Sequence, residues 1–119
     1  METAESAQRA KITALEEQGV RYGLASYVDL HGRPKCKAVP IAHFDQMLRG
    51  SELFTGAALD GVPQEVNDDE VAAHPDFERA LIMPWKPDTM WFPSDLWLND
   101  QPFEACSRQI LKRDLIRAV

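Results

Sequence analysis

The sequence is poor in the residues that most reactions need, and the few it has are badly placed for chemistry. Its two cysteines, Cys36 and Cys106, are too few for a disulfide framework. One intramolecular bridge stays open, but reduced thiols in the cytoplasm are the expectation. Glycine is sparse, and Gly56 and Gly61 stand without a following Gly-Lys-Ser/Thr, so no phosphate cradle and no ATP site can be read. No apolar run approaches the ~20 residues that cross a bilayer, which leaves no membrane partner to expect. Positive charge is short: 13 Lys and Arg against 19 Asp and Glu give a net charge of −6. Nucleic-acid binding needs the opposite balance. The acidic start, Met-Glu-Thr-Ala-Glu-Ser, lacks the basic and apolar regions of a signal peptide.

The remaining candidates for chemistry have ordinary readings. His31, His43 and His74 match no metal-ligand spacing and read as turn or surface histidines. Asp68-Asp69-Glu70 lacks the calcium-loop spacing and reads as a solvated segment. Cys106 has no sequence partner for nucleophilic catalysis and is expected to pack the base of the last helix. Trp85, Trp91 and Trp97 read by default as core, with a partner surface as the alternative.

Periodicity supplies the elements. Ala4 to Gln18 has helical spacing, with Gly19 as its stop. Arg21 to Leu30 changes to period two, His31-Gly32-Arg33-Pro34 turns, and Lys35 to Pro40 returns, making a β-hairpin. A short helix follows over Ala42 to Leu48, with Phe44, Met47 and Leu48 inward and Gly50 closing it. Asp60 to Phe77 reads as a long acidic loop or interface arm. Strands are expected at Ala80 to Met83, Thr89 to Phe92 and Asp95 to Leu98, with turns at Pro84 to Asp88 and Asn99-Asp100. Ser107 to Val119 is a helix with Ser107 as N-cap. Its stripe of Leu111, Leu115 and Ala118 runs to the last residue without a closing signal, which predicts a helix cut short. The fold class is α+β.

Taken in order, several stretches resemble the N-terminal β-grasp domain of the glutamine synthetase family. They are Val20 to Gly32, Lys35 to Pro40, Phe54-Thr55-Gly56-Ala57-Ala58, His74-Pro75-Asp76, Met83-Pro84-Trp85 and Pro102 to Arg113. The likeness is to the branch of type III-like glutamine synthetases and γ-glutamylmethylamide synthetases. It implies a β-grasp-like mixed sheet with flanking helices over residues 1–105. Residues 106–119 would begin a linker helix toward an absent catalytic domain. It also implies an ATP-dependent glutamate–amine ligase, cytoplasmic and serving nitrogen metabolism and glutamine biosynthesis. This domain would close the active site of a neighbouring subunit in a homo-oligomeric ring and be inactive alone. It would hold no cofactor itself, with ATP and Mg or Mn belonging to the absent domain.

The resemblance also marks an amine-site loop at Thr55, Gly56, Ala57 and Ala58. Ammonia-using members carry an aspartate there, where this chain has Thr55. An uncharged residue favours an organic amine, with Asp60 as a candidate displaced charge; the bland alternative is a strand edge touching no substrate. Two other readings stay open: a free-standing β-grasp binding or regulatory module, and an unrelated ubiquitin-like fold.

Overall fold

The computed structural model describes residues 3–55, 64–65 and 68–118. Helix α1 (Ala4–Glu17) begins at Thr3, whose hydroxyl accepts the Ser6 N–H at 3.0 Å. It ends at Gly19, where φ is +98°, a conformation that glycine adopts at least cost. Strands β1 (Tyr22–Val28) and β2 (Pro34–Pro40) form the expected hairpin. A 3-10 turn (Ile41–His43) leads into α2 (Phe44–Leu48), which buries Phe44 and Met47. Then come β3 (Glu52–Phe54), β4 (Val71–Pro75), β5 (Leu81–Met83), β6 (Lys86–Leu98), β7 (Gln101–Pro102) and α3 (Ser107–Ala118). No described helix is long and apolar enough to cross a membrane.

The sheet runs β2-β1-β6-β4-β3, with β5 and β7 also paired to β6. Among the described strands only β1 and β6 run parallel; the other pairs are antiparallel. This is a mixed, β-grasp-like α+β fold. Residues on one face alternate into the core. Gly23, Ala25, Met90 and Phe92 meet Ile12 and Leu15 of α1 and Phe44 and Met47 of α2. A Cβ at Gly23 would lie 2.7 Å from the Phe44 ring, so close approach of the helix requires glycine there. A second cluster joins Tyr27, Val71, Ala73, Leu96, Phe103 and Cys106.

Four expectations change. The stretch Asp60 to Phe77 is not one loop, because Val71–Pro75 forms β4 between β3 and β6. Its Val71 and Ala73 are fully buried, and their small size hid the strand signal. The strands expected at Thr89 to Phe92 and Asp95 to Leu98 are one strand, β6. Pro93 sits where β6 stops pairing with β1, at Ser26↔Pro93, and starts pairing with β4, at Pro75↔Ser94. A missing N–H disrupts little at such a handover. Ser107 is not a cap: its hydroxyl donates to the Val28 carbonyl, while the Cys106 carbonyl accepts the Ile110 N–H at 3.0 Å. Finally, none of the tryptophans is fully buried. Trp85 is 76% exposed in its turn, and Trp91 and Trp97 alternate away from Met90, Phe92 and Leu96.

The turn at Asn99-Asp100 is as expected, with φ of 50° and 62° suited to a tight hairpin. Cys106 is buried, as expected, and Cys36 is exposed; both are free thiols.

Candidate functional site

The sheet curls so far that its two terminal strands, β2 and β3, face each other across a gap. Strand twist accumulates in this way. The gap is a cavity of about 420 Å³ lined by Tyr27, Lys35, Cys36, Lys37, Leu53, Phe54, Thr55 and Glu70. Thr55 is exposed at the end of β3, on the wall of this cavity. Gly56, Ala57, Ala58 and Asp60 lie outside the described residues. Of the expected amine-site loop, Thr55 alone can therefore be placed.

Sequence reasoning missed the residues that the fold brings to Thr55. The Phe54↔Val71 pair puts Glu70 beside Thr55 at the strand end. Lys37 donates to the Leu53 carbonyl, and its ammonium stands 5.0 Å from the centre of the Phe54 ring. That ring meets Tyr27 edge-on, 4.7 Å between centres at 78°. The alternation of Lys35 and Lys37 in the sequence gives the strand period but no hint of proximity to residue 54.

Asp29 organises the hairpin turn beside this gap. Its carboxylate accepts the His31 and Arg33 N–H groups at 2.9 Å each and lies 3.6 Å from the Lys35 ammonium. The Arg33 N–H is the main reason its carboxyl is held below the usual range. Burial, helped by the Asp29 charge, pushes the Tyr27 phenol up to about 12. Tyr27 is thus a neutral wall of the gap at physiological pH.

The opposite, outer face of the sheet carries a different feature. Leu81, Trp91, Leu24 and Ala38 are cross-strand neighbours in one row over β5, β6, β1 and β2. The helices α1 and α2 pack on the other face, and Leu81, Tyr22 and Val28 are 48%, 43% and 46% exposed. A cavity of about 350 Å³ continues this apolar surface beneath α3, lined by Val28, Pro34, Trp91, Pro93 and Leu111 among others. Arg108 holds α3 there by bridging Asp95 at 2.9 Å and Asp76 at 3.0 Å, and Lys112 joins Asp95 at 2.6 Å. Burial alone would raise the Asp76 carboxyl, but its hydrogen bond and attraction to Arg108 bring it below the usual range. Leu111 and Leu115 are each 58% exposed, with Leu111 at the rim of that cavity.

His31 lies in the hairpin turn, His43 in the 3-10 turn, and His74 on β4, stacked on Trp97 at 4.9 Å and 19°. Among the described residues, no three His, Cys, Asp or Glu come together as a metal site. Burial pulls the His74 imidazole below its ordinary 6.5, against the attraction of Asp100 and Asp95. The unfolded chain therefore takes up this proton first as pH falls. Stability is complete above 6.5 and is lost as pH falls from there through the folded-state value. We expect the urea midpoint to be lower at pH 5.5 than at pH 7.5, and the difference to shrink in His74→Gln. Equal midpoints for the parent chain at both pH values would refute this.

The fold and its two surfaces define a β-grasp-like α+β domain with a polar gap at the sheet edge and a partly exposed apolar face. Comparison with known proteins gives its relatives. The chain is 34% identical over 103 residues to a glutamine synthetase of Rhizobium meliloti strain 1021, spanning 85% of this chain and 23% of that protein. It is 32% identical over 102 residues to a glutamate–methylamine ligase of Methyloversatilis universalis, again 85% and 23%. A solved complex of GmaS with ADP superposes with a TM-score of 0.83 at 31% identity, covering 90% of this chain and 25% of that one. No protein-family model matches the chain. These relationships place the chain with the N-terminal β-grasp domain of the glutamine synthetase family of ligases. It spans about a quarter of the length of these relatives.

Proposed function

We propose that this chain works as the N-terminal domain of an ATP-dependent glutamate–amine ligase that forms a γ-glutamyl amide from glutamate and ammonia or an organic amine. The domain docks on the catalytic domain of a neighbouring subunit in a homo-oligomeric ring, closes one side of its active site, and has no activity alone. ATP and Mg or Mn are held by that catalytic domain, and residues 106–119 begin the connection to it. The observation that carries this reading is the row Leu81–Trp91–Leu24–Ala38, exposed at Leu81 and Ala38 and half-buried at Trp91 and Leu24, on a domain whose relatives are about four times as long. Apolar rows of this kind are normally covered in the working protein. Within the site, Thr55 brings no charge of its own and Glu70 supplies the neighbouring carboxylate; the smaller, uncharged side chain at position 55 favours an amine with an alkyl group over ammonia.

The test is complementation. The chain is mixed with the separately expressed catalytic domain of a glutamine synthetase-like ligase, and ATP- and glutamate-dependent amide formation is followed with a panel of amines. Activity that requires both components, and exceeds ammonia turnover with a small alkylamine, is the expected result. A mixture inactive with every amine would sink the ligase reading and favour a free-standing binding module.

A further inference from the structure

The gap between β2 and β3 already contains an alkylammonium ion, that of Lys37. These strands are the two ends of the path β2-β1-β6-β4-β3, so the lysine reaches across the open seam of a curled sheet. At its tip it finds two features that recognise a primary amine. The Leu53 carbonyl accepts a hydrogen bond from its N–H, and the face of Phe54 lies 5.0 Å away. An aromatic face attracts a cation through its quadrupole, and a carbonyl selects an ammonium that still has N–H to give. Tyr27, edge-on to Phe54 at 4.7 Å, limits rotation of that ring. Thr55 and Glu70 line the same cavity, and Glu70 places a carboxylate on its wall.

We propose that this gap is a binding site for a primary alkylammonium ion and that Lys37 fills it as an internal ligand. An external amine then binds by displacing the Lys37 tip, so the parent chain binds amines weakly and an emptied gap binds them better. The assignment gives the amine of the ligase reading a place to bind. It rests on that reading only for the choice of amine, and its test uses this chain alone.

The isotope-labelled 119-residue chain is titrated with methylammonium chloride, against sodium chloride at equal ionic strength, and amide shifts are followed by NMR. The chains compared are the parent, Lys37→Met, Lys37→Ala and Lys37→Met/Phe54→Leu, each with its melting curve recorded. In the single variants we expect saturable shifts at Leu53 and Phe54, with affinity about two- to fivefold above the parent, the worth of one exposed cation–π contact. The added Phe54→Leu change is expected to remove that gain. The proposal is overturned if folded Lys37→Met and Lys37→Ala bind methylammonium no better than the parent, or if the gain survives loss of the Phe54 ring. Two variants guard against one failing to fold. Complementation activity with no amine binding in the emptied gap would remove this site and leave the ligase reading intact; the converse would do the reverse.

Discussion

Phe92→Ala is expected to come close to unfolding the chain. Phe92 is fully buried, with its ring edge-on to Phe44 at 5.4 Å and to Phe77 at 5.7 Å. It therefore joins β6 to α2 and to the 3-10 turn at Phe77–Arg79. Truncating a buried phenylalanine costs about 3–5 kcal/mol, part from lost transfer energy and part from the cavity left behind. The total stability of a domain of this size is only ~5–15 kcal/mol. The cavity has little chance to collapse, because Gly23 is already in contact distance of both rings: a Cβ there would sit 2.9 Å from Phe92. A thermal melt followed by far-UV circular dichroism should show the midpoint falling by roughly 15 °C, from the usual scaling of midpoint with stability. Leu81→Ala, on the outer face and 48% exposed, serves as the control and should cost under about 1 kcal/mol. A Phe92→Ala midpoint within 5 °C of the parent, on the order of what a single kcal/mol would produce, would mean that the core is not where it is placed.

The parts of this fold that were legible in the sequence are those with local signals. The hairpin of β1 and β2 declared itself by period two on both sides of His31-Gly32-Arg33-Pro34, and Asp29 fastens that turn through its own neighbours. Helix α1 and the Phe44 helix showed their apolar spacing and their glycine stops. What failed were elements whose evidence is not local. Strand β4 is Val-Ala-Ala-His-Pro, too short and too small in side chain to stand out beside Asp68-Asp69-Glu70. The continuity of β6 was masked by Pro93, which is tolerated only because two different strands meet β6 on either side of it. The tryptophans misled because size argues for burial, whereas alternation with Met90 and Phe92 turns Trp91 outward.

The candidate site was legible only at one point. Thr55 could be marked through resemblance, but nothing near it in the sequence indicates Lys37, Tyr27 or Glu70. The approach of Lys37 to Phe54 depends on how far the whole sheet curls, a sum of small twists over every strand between them. A one-dimensional pattern does not record that sum. Likewise, the ion pairs that dock α3, from Arg108 to Asp76 and Asp95, join elements that are distant in sequence.

Trp91→Glu is expected to separate the folding of this domain from its docking. On the ligase reading, the row Leu81–Trp91–Leu24–Ala38 meets the catalytic domain, and Trp91 is its largest member with a neighbour on each side. Aromatic anchors at the centre of an interface typically carry ~2–4 kcal/mol, which is about 30- to 1000-fold in affinity. A carboxylate at that position adds an unpaired charge to a surface that must be dried. Within the isolated chain the loss is much smaller, about 0.2–1 kcal/mol for each cross-strand contact removed, because Trp91 remains partly open to water and lies opposite the Phe92 core. The expected result is a melting curve near that of the parent, together with loss of binding to the catalytic domain and of complemented activity. Binding is measured by calorimetry and activity by amide formation at saturating ATP and glutamate. A variant that melts normally and still binds within about threefold of the parent, under 1 kcal/mol by the affinity relation, would show that the outer face of the sheet is not the docking surface. Activity restored by the parent chain in the same experiment would then direct attention to the exposed Leu111 and Leu115 of α3, another apolar surface among the described residues.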